Sequence, residues 1–117
     1  MRTVSALGTI LLLLPVAAAA KTITVRGEGF ASCASWIQEH DRKSSRQPVQ
    51  DSWLLGYVNG VSSTLEIPGV EDVSARFHNP DLVTWISDYC SSHQDEPIIR
   101  AADALMRDLA RQAERAN

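Results

Sequence analysis

The chain has 117 residues, with 11 Lys and Arg, 14 Asp and Glu and a formal net charge of −3 at pH 7. This length allows one domain with a modest core and leaves no room for a second domain. The basic residues are scattered along a chain of net negative charge, which argues against nucleic acid as a partner.

The first twenty residues have the layout of a cleavable secretory signal peptide. Arg2 precedes an uncharged, Leu-rich run over residues 6–16, and small alanines stand before Lys21. The apolar run is short for a stable membrane span, so we expect cleavage rather than an uncleaved anchor. Residues 1–20 are then the signal peptide, and residues 21–117 form one periplasmic or secreted domain without membrane insertion.

The mature domain is predicted to begin with an arm and a helix. Residues 21–25 alternate polar and apolar side chains, which is typical of a short strand but fits an ordered irregular arm equally well. The period then becomes helical, with Phe30, Cys33 and Trp36 on one side. The first helix is therefore predicted over residues 30–42.

The second helix is the best candidate for the central helix of the domain. It is predicted over residues 49–66, where the apolar residues share one broad face, and Pro68 and Gly69 end it. Gly56 and Gly60 lie at the edge of this face, and each costs about 1 kcal/mol relative to alanine in a helix interior. We expect these glycines to allow close backbone approach by another helix.

Two more helices are predicted after a connection over residues 70–78, which has room for one short helical turn. Asn79 and Pro80 suit the cap and the first position of a third helix over residues 80–92. A fourth helix over residues 97–114 has apolar residues on one side and a charged row, most simply a solvated face, on the other. The predicted fold class is all-α, a compact four-helix domain.

Cys33 and Cys90 are the two cysteines of the chain. Because the predicted route leads to an oxidising compartment, we expect one long-range disulfide between them rather than two free thiols. In the chain-entropy model such a bridge stabilises the folded state by about 4 kcal/mol. It would pin the first predicted helix to the third.

The sequence contains no motif typical of catalysis, of a cofactor or of a metal site. There is no Gly-x-Ser-x-Gly elbow, no Gly-rich phosphate loop and no His-Glu-x-x-His. Cys90 and His93 have a spacing that zinc could use, but a bridged Cys90 is unavailable to a metal. His40 is most simply a hydrogen-bonded histidine at the core edge. We predict no enzyme, no cofactor and no metal site, with a small hydrolase using His40 or His78 as an alternative.

Aromatic residues of the second helix suggest a surface for another protein. Most aromatic side chains stand at apolar helical positions and are expected in the core. A domain of this size cannot easily bury three tryptophans completely, so an exposed aromatic patch would mark a partner or dimer interface. The predicted partner-binding residues are Trp53, Gly56, Tyr57 and Gly60. The partner would be another protein, and a homodimer is allowed.

The pattern of the chain from Cys33 to Leu109 resembles two groups of small periplasmic helical proteins. Cys33 opening the first helix, and Cys90 followed by Ser-Ser-His, resemble the single long-range disulfide of the HdeA and HdeB acid-stress chaperones. The segment Gly-Tyr-Val-Asn-Gly-Val at residues 56–61, together with residues 98–109, resembles the Tai-class immunity proteins, which neutralise type VI secretion amidase effectors.

These resemblances imply two modes of protein binding. A chaperone of the first kind would open in acid, because low pH neutralises its carboxylates and leaves its basic residues to repel one another. An immunity protein of the second kind would occlude one enzyme at neutral pH. We predict a periplasmic stress chaperone, with an immunity or inhibitor protein as the alternative and a structural envelope role as a further possibility.

Overall fold

The computed structural model describes residues 24–64 and 68–116, apart from the Glu71 side chain. Five α-helices and one short 3-10 helix occupy these residues, and no strand is found among them. The α-helices are α1 (Cys33–Asp41), α2 (Gln47–Thr64), α3 (Val70–Ala75), α4 (Asn79–Ser91) and α5 (Ile98–Ala116). The all-α class is therefore confirmed, and α1, α2, α4 and α5 correspond to the four predicted helices.

The short helix α3 occupies the segment that the sequence predicts as a connection. Val70 and Val73 are almost completely buried, and α3 packs against α5. Burial of these two side chains explains why six residues between two longer helices stay helical, since so short a helix is marginal by itself.

The structure changes the predicted start of the first helix. Phe30 belongs to the 3-10 helix at Gly27–Phe30 and is 64% exposed, so the prediction that it joins the apolar side of the first helix is wrong. α1 begins at Cys33 because the hydroxyl of Ser32 accepts the backbone N–H of Ser35 and caps the helix. The predicted signal peptide at 1–20 lies outside the described residues, as does 21–23 of the predicted strand or arm.

The start of α4 differs by one residue from the prediction. The N-cap is His78, so Asn79, the predicted cap, is the first helical residue. The Asp81 carboxylate accepts the backbone N–H of His78 at 3.0 Å, and Pro80 lies in the first turn, where a missing N–H does no harm. The carboxylate is also placed where it complements the helix dipole.

The disulfide joins α1 to α4 at the centre of the core, as predicted. The Cα atoms of Cys33 and Cys90 are 4.8 Å apart, and both residues are completely buried. A second contact lies beside it, where the Trp36 indole N–H donates to the Ser87 hydroxyl at 2.9 Å. The largest other fully buried side chains are Leu54, Ile86, Ile98, Leu105 and Leu109.

The segments that precede α1 and α5 are paired through their backbones. The N–H of Cys33 donates to the carbonyl of Glu96 at 2.7 Å, and the N–H of Ile98 donates to the carbonyl of Ala31 at 2.8 Å. These bonds satisfy N–H groups that helix starts leave without intrahelical partners. They also fix the two helix starts side by side. Over the described ranges, no helix is both long and apolar enough to cross a membrane.

Candidate protein-binding face

Trp53 and Tyr57 of α2 form a stacked pair beside α5, with ring centroids 5.4 Å apart. The Trp53 indole N–H donates to the carbonyl of Arg26 at 3.0 Å, and the Tyr57 hydroxyl donates to the Asp103 carboxylate of α5. Both rings are half-buried and, with Ile99 and residues 24–26, line a small cavity of about 190 Å³. We call Trp53 and Tyr57 the aromatic pair.

Gly56 and Gly60 lie on the exposed side of α2, opposite the buried row that contains Leu54 and Val58. A Cβ atom added at either position would meet nothing within 4 Å. The prediction that another helix of this chain comes close to these two glycines is therefore wrong within the described residues. The physical reason is that α2 buries the row containing Leu54 and Val58, which faces away from the glycines.

The exposed side of α2 is uncharged. No residue from 52 to 64 carries a charge, although 21% of the whole chain is charged. The side is formed by Ser52, Gly56, Asn59, Gly60 and Ser63, all exposed, and we call it the α2 outer face. An exposed helix side usually carries charged residues, so this one is unusual for a surface that meets only water. Partner binding by these residues stays a prediction.

Close backbone approach occurs at two other glycines, for which the sequence pattern predicts no such role. A Cβ atom on Gly29 would lie 2.4 Å from Cζ2 of Trp53, and one on Gly27 would lie 3.3 Å from Cδ1 of the same ring. Gly27 also has a φ of +71°, which favours glycine. The 3-10 helix is thus fitted against Trp53, and the Gly-x-Gly spacing before α1 was the available sequence signal.

A second aromatic group runs along α4. The rings of Trp85, Tyr89 and His93 stack in sequence, with centroid distances of 5.8 Å and 4.0 Å. The Trp85 indole N–H donates to Asp108 of α5 at 3.3 Å, and the Tyr89 hydroxyl donates to Glu96 at 2.6 Å. His93 lies just after α4, as predicted, with Nδ1 2.7 Å from the Tyr89 carbonyl. The sulfur of Cys90 is bonded to Cys33 and is therefore unavailable to a metal beside His93.

Both tyrosines are held in the protonated form. Burial, reinforced by the hydrogen bond to Asp103, raises the pKa of Tyr57 well above its ordinary value. The hydrogen bond to Glu96, with a smaller effect of burial, raises the pKa of Tyr89. The positive charge of Arg107 opposes the rise in pKa at both hydroxyls.

His40 links the end of α1 to the first part of α2. Its Nδ1 lies 2.7 Å from the Trp36 carbonyl and its Nε2 lies 2.7 Å from Oδ1 of Asp51. The carbonyl can only accept, so Nδ1 carries a hydrogen, and a doubly protonated ring donates to both partners. The ring also stacks on Trp36 at 4.0 Å. This position matches the structural interpretation of His40. His78, the other histidine of the hydrolase alternative, is exposed at the start of α4.

Four carboxylates accept side-chain hydrogen bonds that join one element of the fold to another, and a fifth, Glu96 in the connection before α5, accepts one from α4. Glu28 of the 3-10 helix accepts from Arg46 at 3.0 Å and from Gln50 at 3.3 Å. The other four are the acceptors already described: Asp51, Glu96, Asp103 and Asp108. We call these five residues the carboxylate ties. They connect the 3-10 helix, α1, α2, α4 and α5.

A groove between α2 and the α3–α4 region contains two adjoining cavities of about 360 and 380 Å³. Leu55 and Asn79 line both cavities, Phe77 adds apolar surface to one and Val83 to the other. Asp51, the partner of His40, lines the second cavity. The groove therefore begins beside one of the carboxylate ties.

Comparison of the chain with protein-family models, with curated proteins and with solved structures finds no match in any of the three.

Proposed function

We propose that this protein is an exported, acid-activated chaperone that binds unfolding proteins without catalysing a reaction. The observation that supports this function best is the set of carboxylate ties. Each tie joins two parts of the fold through a group that loses its charge in acid. A folded protein held in this way has a built-in means of opening at low pH.

Acid acts on the carboxylate ties in two ways. Carboxyl groups are mostly protonated below about pH 3, and hydrogen bonds to a charged partner are roughly twice as strong as neutral ones. Protonation therefore weakens every tie at once. It also removes the negative charge of the 14 Asp and Glu residues while the Lys and Arg residues keep their positive charge, so the mature chain becomes strongly cationic and repels itself.

The opened chain would expose apolar surface while staying partly ordered. The inner side of α5 has seven buried residues, among them Ile98, Leu105 and Leu109, and separation of α5 would expose them. The disulfide still joins α1 to α4 in acid, because protonation does not break it. A compact state with exposed apolar surface is a common acid form, and this surface would hold unfolding clients.

The proposal is tested with the oxidised mature protein between pH 7 and pH 2. Molecular size, binding of an apolar dye and aggregation of an acid-labile client protein are measured at each pH. We expect dye binding and client protection to appear together in acid and to be absent at pH 7. A chain that stays closed and gives no protection at pH 2 contradicts the proposal.

A pair of matched variants tests whether the carboxylate ties set the pH of opening. Three ties are neutralised in Asp51→Asn/Asp103→Asn/Asp108→Asn, which should open at higher pH than the native chain. The control replaces three exposed acids that form no ion pair with a described residue, in Asp41→Asn/Asp72→Asn/Asp88→Asn. Both variants change the net charge equally, so an equal shift in both would assign the opening to net charge alone.

The α2 outer face favours a second candidate function, an immunity or inhibitor protein that occludes one enzyme at neutral pH. An uncharged helix side with open space at Gly56 and Gly60 allows close contact with a partner. This function requires no acid opening. A closed protein without chaperone activity, together with loss of inhibition in Gly56→Arg, would favour it.

A further inference from the structure

We propose that the outer side of α5 docks an acidic segment of another protein at neutral pH. The surface consists of Arg100, Arg107 and Arg111, which we call the arginine row, and of the aromatic residues beside it. This inference goes beyond the proposed function, because it concerns the folded protein before any acid opening.

The three arginines form one line along the helix. Their spacings of seven and four residues place them within about 40° around the helix axis and over about 16 Å along it. All three are exposed. Among the described residues, no carboxylate oxygen lies within 4.0 Å of the Arg100 or Arg107 guanidinium, and Arg111 makes one contact of 3.3 Å, to Asp108.

Asp103 and Asp108 next to the row do not neutralise it, because they accept other hydrogen bonds, and the exposed Glu114 beyond Arg111 forms no ion pair with a described residue. Asp103 lies four residues before Arg107, the spacing of a helical ion pair, yet it accepts the hydroxyl of Tyr57. Asp108 is shared between Trp85, Gln112 and Arg111. Two guanidinium groups are therefore left without an ion pair within the described chain, although the chain as a whole is negative.

The surroundings of the row favour a protein segment over a phosphate polymer. Tyr57 lies on the α2 side and Tyr89 and Trp85 on the α4 side, and all three are half-buried. Arg, Tyr and Trp are the residues that dominate binding energy in protein interfaces. Asp103 and Asp108 border the row on either side, and they would repel a densely charged phosphate chain but allow carboxylates spaced to match the arginines.

The test measures binding of a fluorescein-labelled 18-residue helical peptide that carries Glu at spacings of seven and four residues. We expect binding at pH 7 in low salt that weakens steeply at 0.5 M NaCl, because exposed charges are screened over about 4 Å there. Arg100→Glu/Arg107→Glu should weaken binding by about tenfold or more. The matched control, Arg42→Glu/Arg76→Glu, reverses two exposed arginines outside α5 and should bind as the native chain does.

Three results would overturn the inference: absence of peptide binding, equal loss in both double variants, or tighter binding of inorganic polyphosphate of the same charge than of the peptide. Thermal unfolding of both double variants establishes that they are folded. The acid assay of client protection is separate from this measurement, so failure of the docking site and failure of the chaperone proposal are distinguishable.

Discussion

Nε2 of His40 lies 2.7 Å from Oδ1 of Asp51, and the two side chains are only 12% and 27% exposed. His40 lies in the last turn of α1 and Asp51 in the second turn of α2, so this contact joins the end of one helix to the start of the next. Because little water reaches the pair, the hydrogen bond between the two side chains is less screened than one at the surface.

Asp51→Asn should lower the free energy of unfolding at pH 7 by about 1–2 kcal/mol. The amide keeps an acceptor oxygen for His40 but removes the charge that strengthens the bond. Urea unfolding followed by circular dichroism measures the change. Asp41→Asn, at an exposed position at the end of α1, is the control and should stay within about 0.5 kcal/mol of the native chain.

Tyr57 and Tyr89 should make the protein less stable in alkali. The pKa of each tyrosine is raised in the folded state, so between pH 10 and the folded-state pKa the unfolded chain binds fewer protons than the folded chain. The stability that the two tyrosines contribute is therefore fully present below pH 10 and is lost as the pH rises above it. The free energy of unfolding should fall between pH 9 and pH 11 in the native chain.

The tyrosine contribution is isolated by Tyr57→Phe/Tyr89→Phe, which has no phenol at either site. Its free energy of unfolding should be lower at pH 9, since two hydrogen bonds are lost, but should change less between pH 9 and pH 11. An identical slope in the native chain and in the double variant would show that other groups cause the alkaline loss.

Replacement of glycine by alanine should stabilise the folded protein at Gly56 and destabilise it at Gly29. Gly56→Ala fills open space in a helix interior, so we expect a gain of about 0.5–1 kcal/mol. Gly29→Ala would place a Cβ atom 2.4 Å from the Trp53 ring, and we expect a loss of about 1–3 kcal/mol from the forced displacement. Thermal unfolding of both variants checks the signs, and a loss in Gly56→Ala would mean that its surroundings are not open.

Removal of the disulfide in Cys33→Ser/Cys90→Ser should lower the free energy of unfolding by about 4 kcal/mol, from a bridge that closes a separation of 57 residues. Urea unfolding of the native chain with and without reductant gives an independent value. If reduction changes the free energy of unfolding by less than about 1 kcal/mol, the disulfide stabilises the folded state little by restricting the unfolded chain.

The helices and the disulfide were predictable because their signals are local or compositional. The apolar rows of α1, α2, α4 and α5 repeat at the helical period, and two cysteines allow one pairing. The site was less predictable because its contacts are long-range. The Tyr57–Asp103 and His40–Asp51 bonds join residues 46 and 11 positions apart, and no periodicity in the chain indicates either.

The glycines illustrate the same difference. Sequence spacing singled out Gly56 and Gly60 as a place of close approach, but that approach occurs at Gly27 and Gly29, where the chain outside a helix meets the Trp53 ring. A glycine shows that a side chain is absent and does not show what fills the space. The packing of the 3-10 helix against Trp53 shows that the close contact is made by Gly27 and Gly29 and not by Gly56 and Gly60.

The disulfide closes residues 33–90 into a covalent ring that contains α1, α2, α3 and nearly all of α4, while α5 lies outside this ring. The ring cannot extend without reduction, whereas α5 can peel away without breaking a covalent bond. Partial unfolding that leaves the disulfide intact can therefore separate α5 from the ring, whereas it cannot carry Cys33 away from Cys90. Thus α5, the most amphipathic of the described helices, is also the one that the disulfide-closed ring does not include.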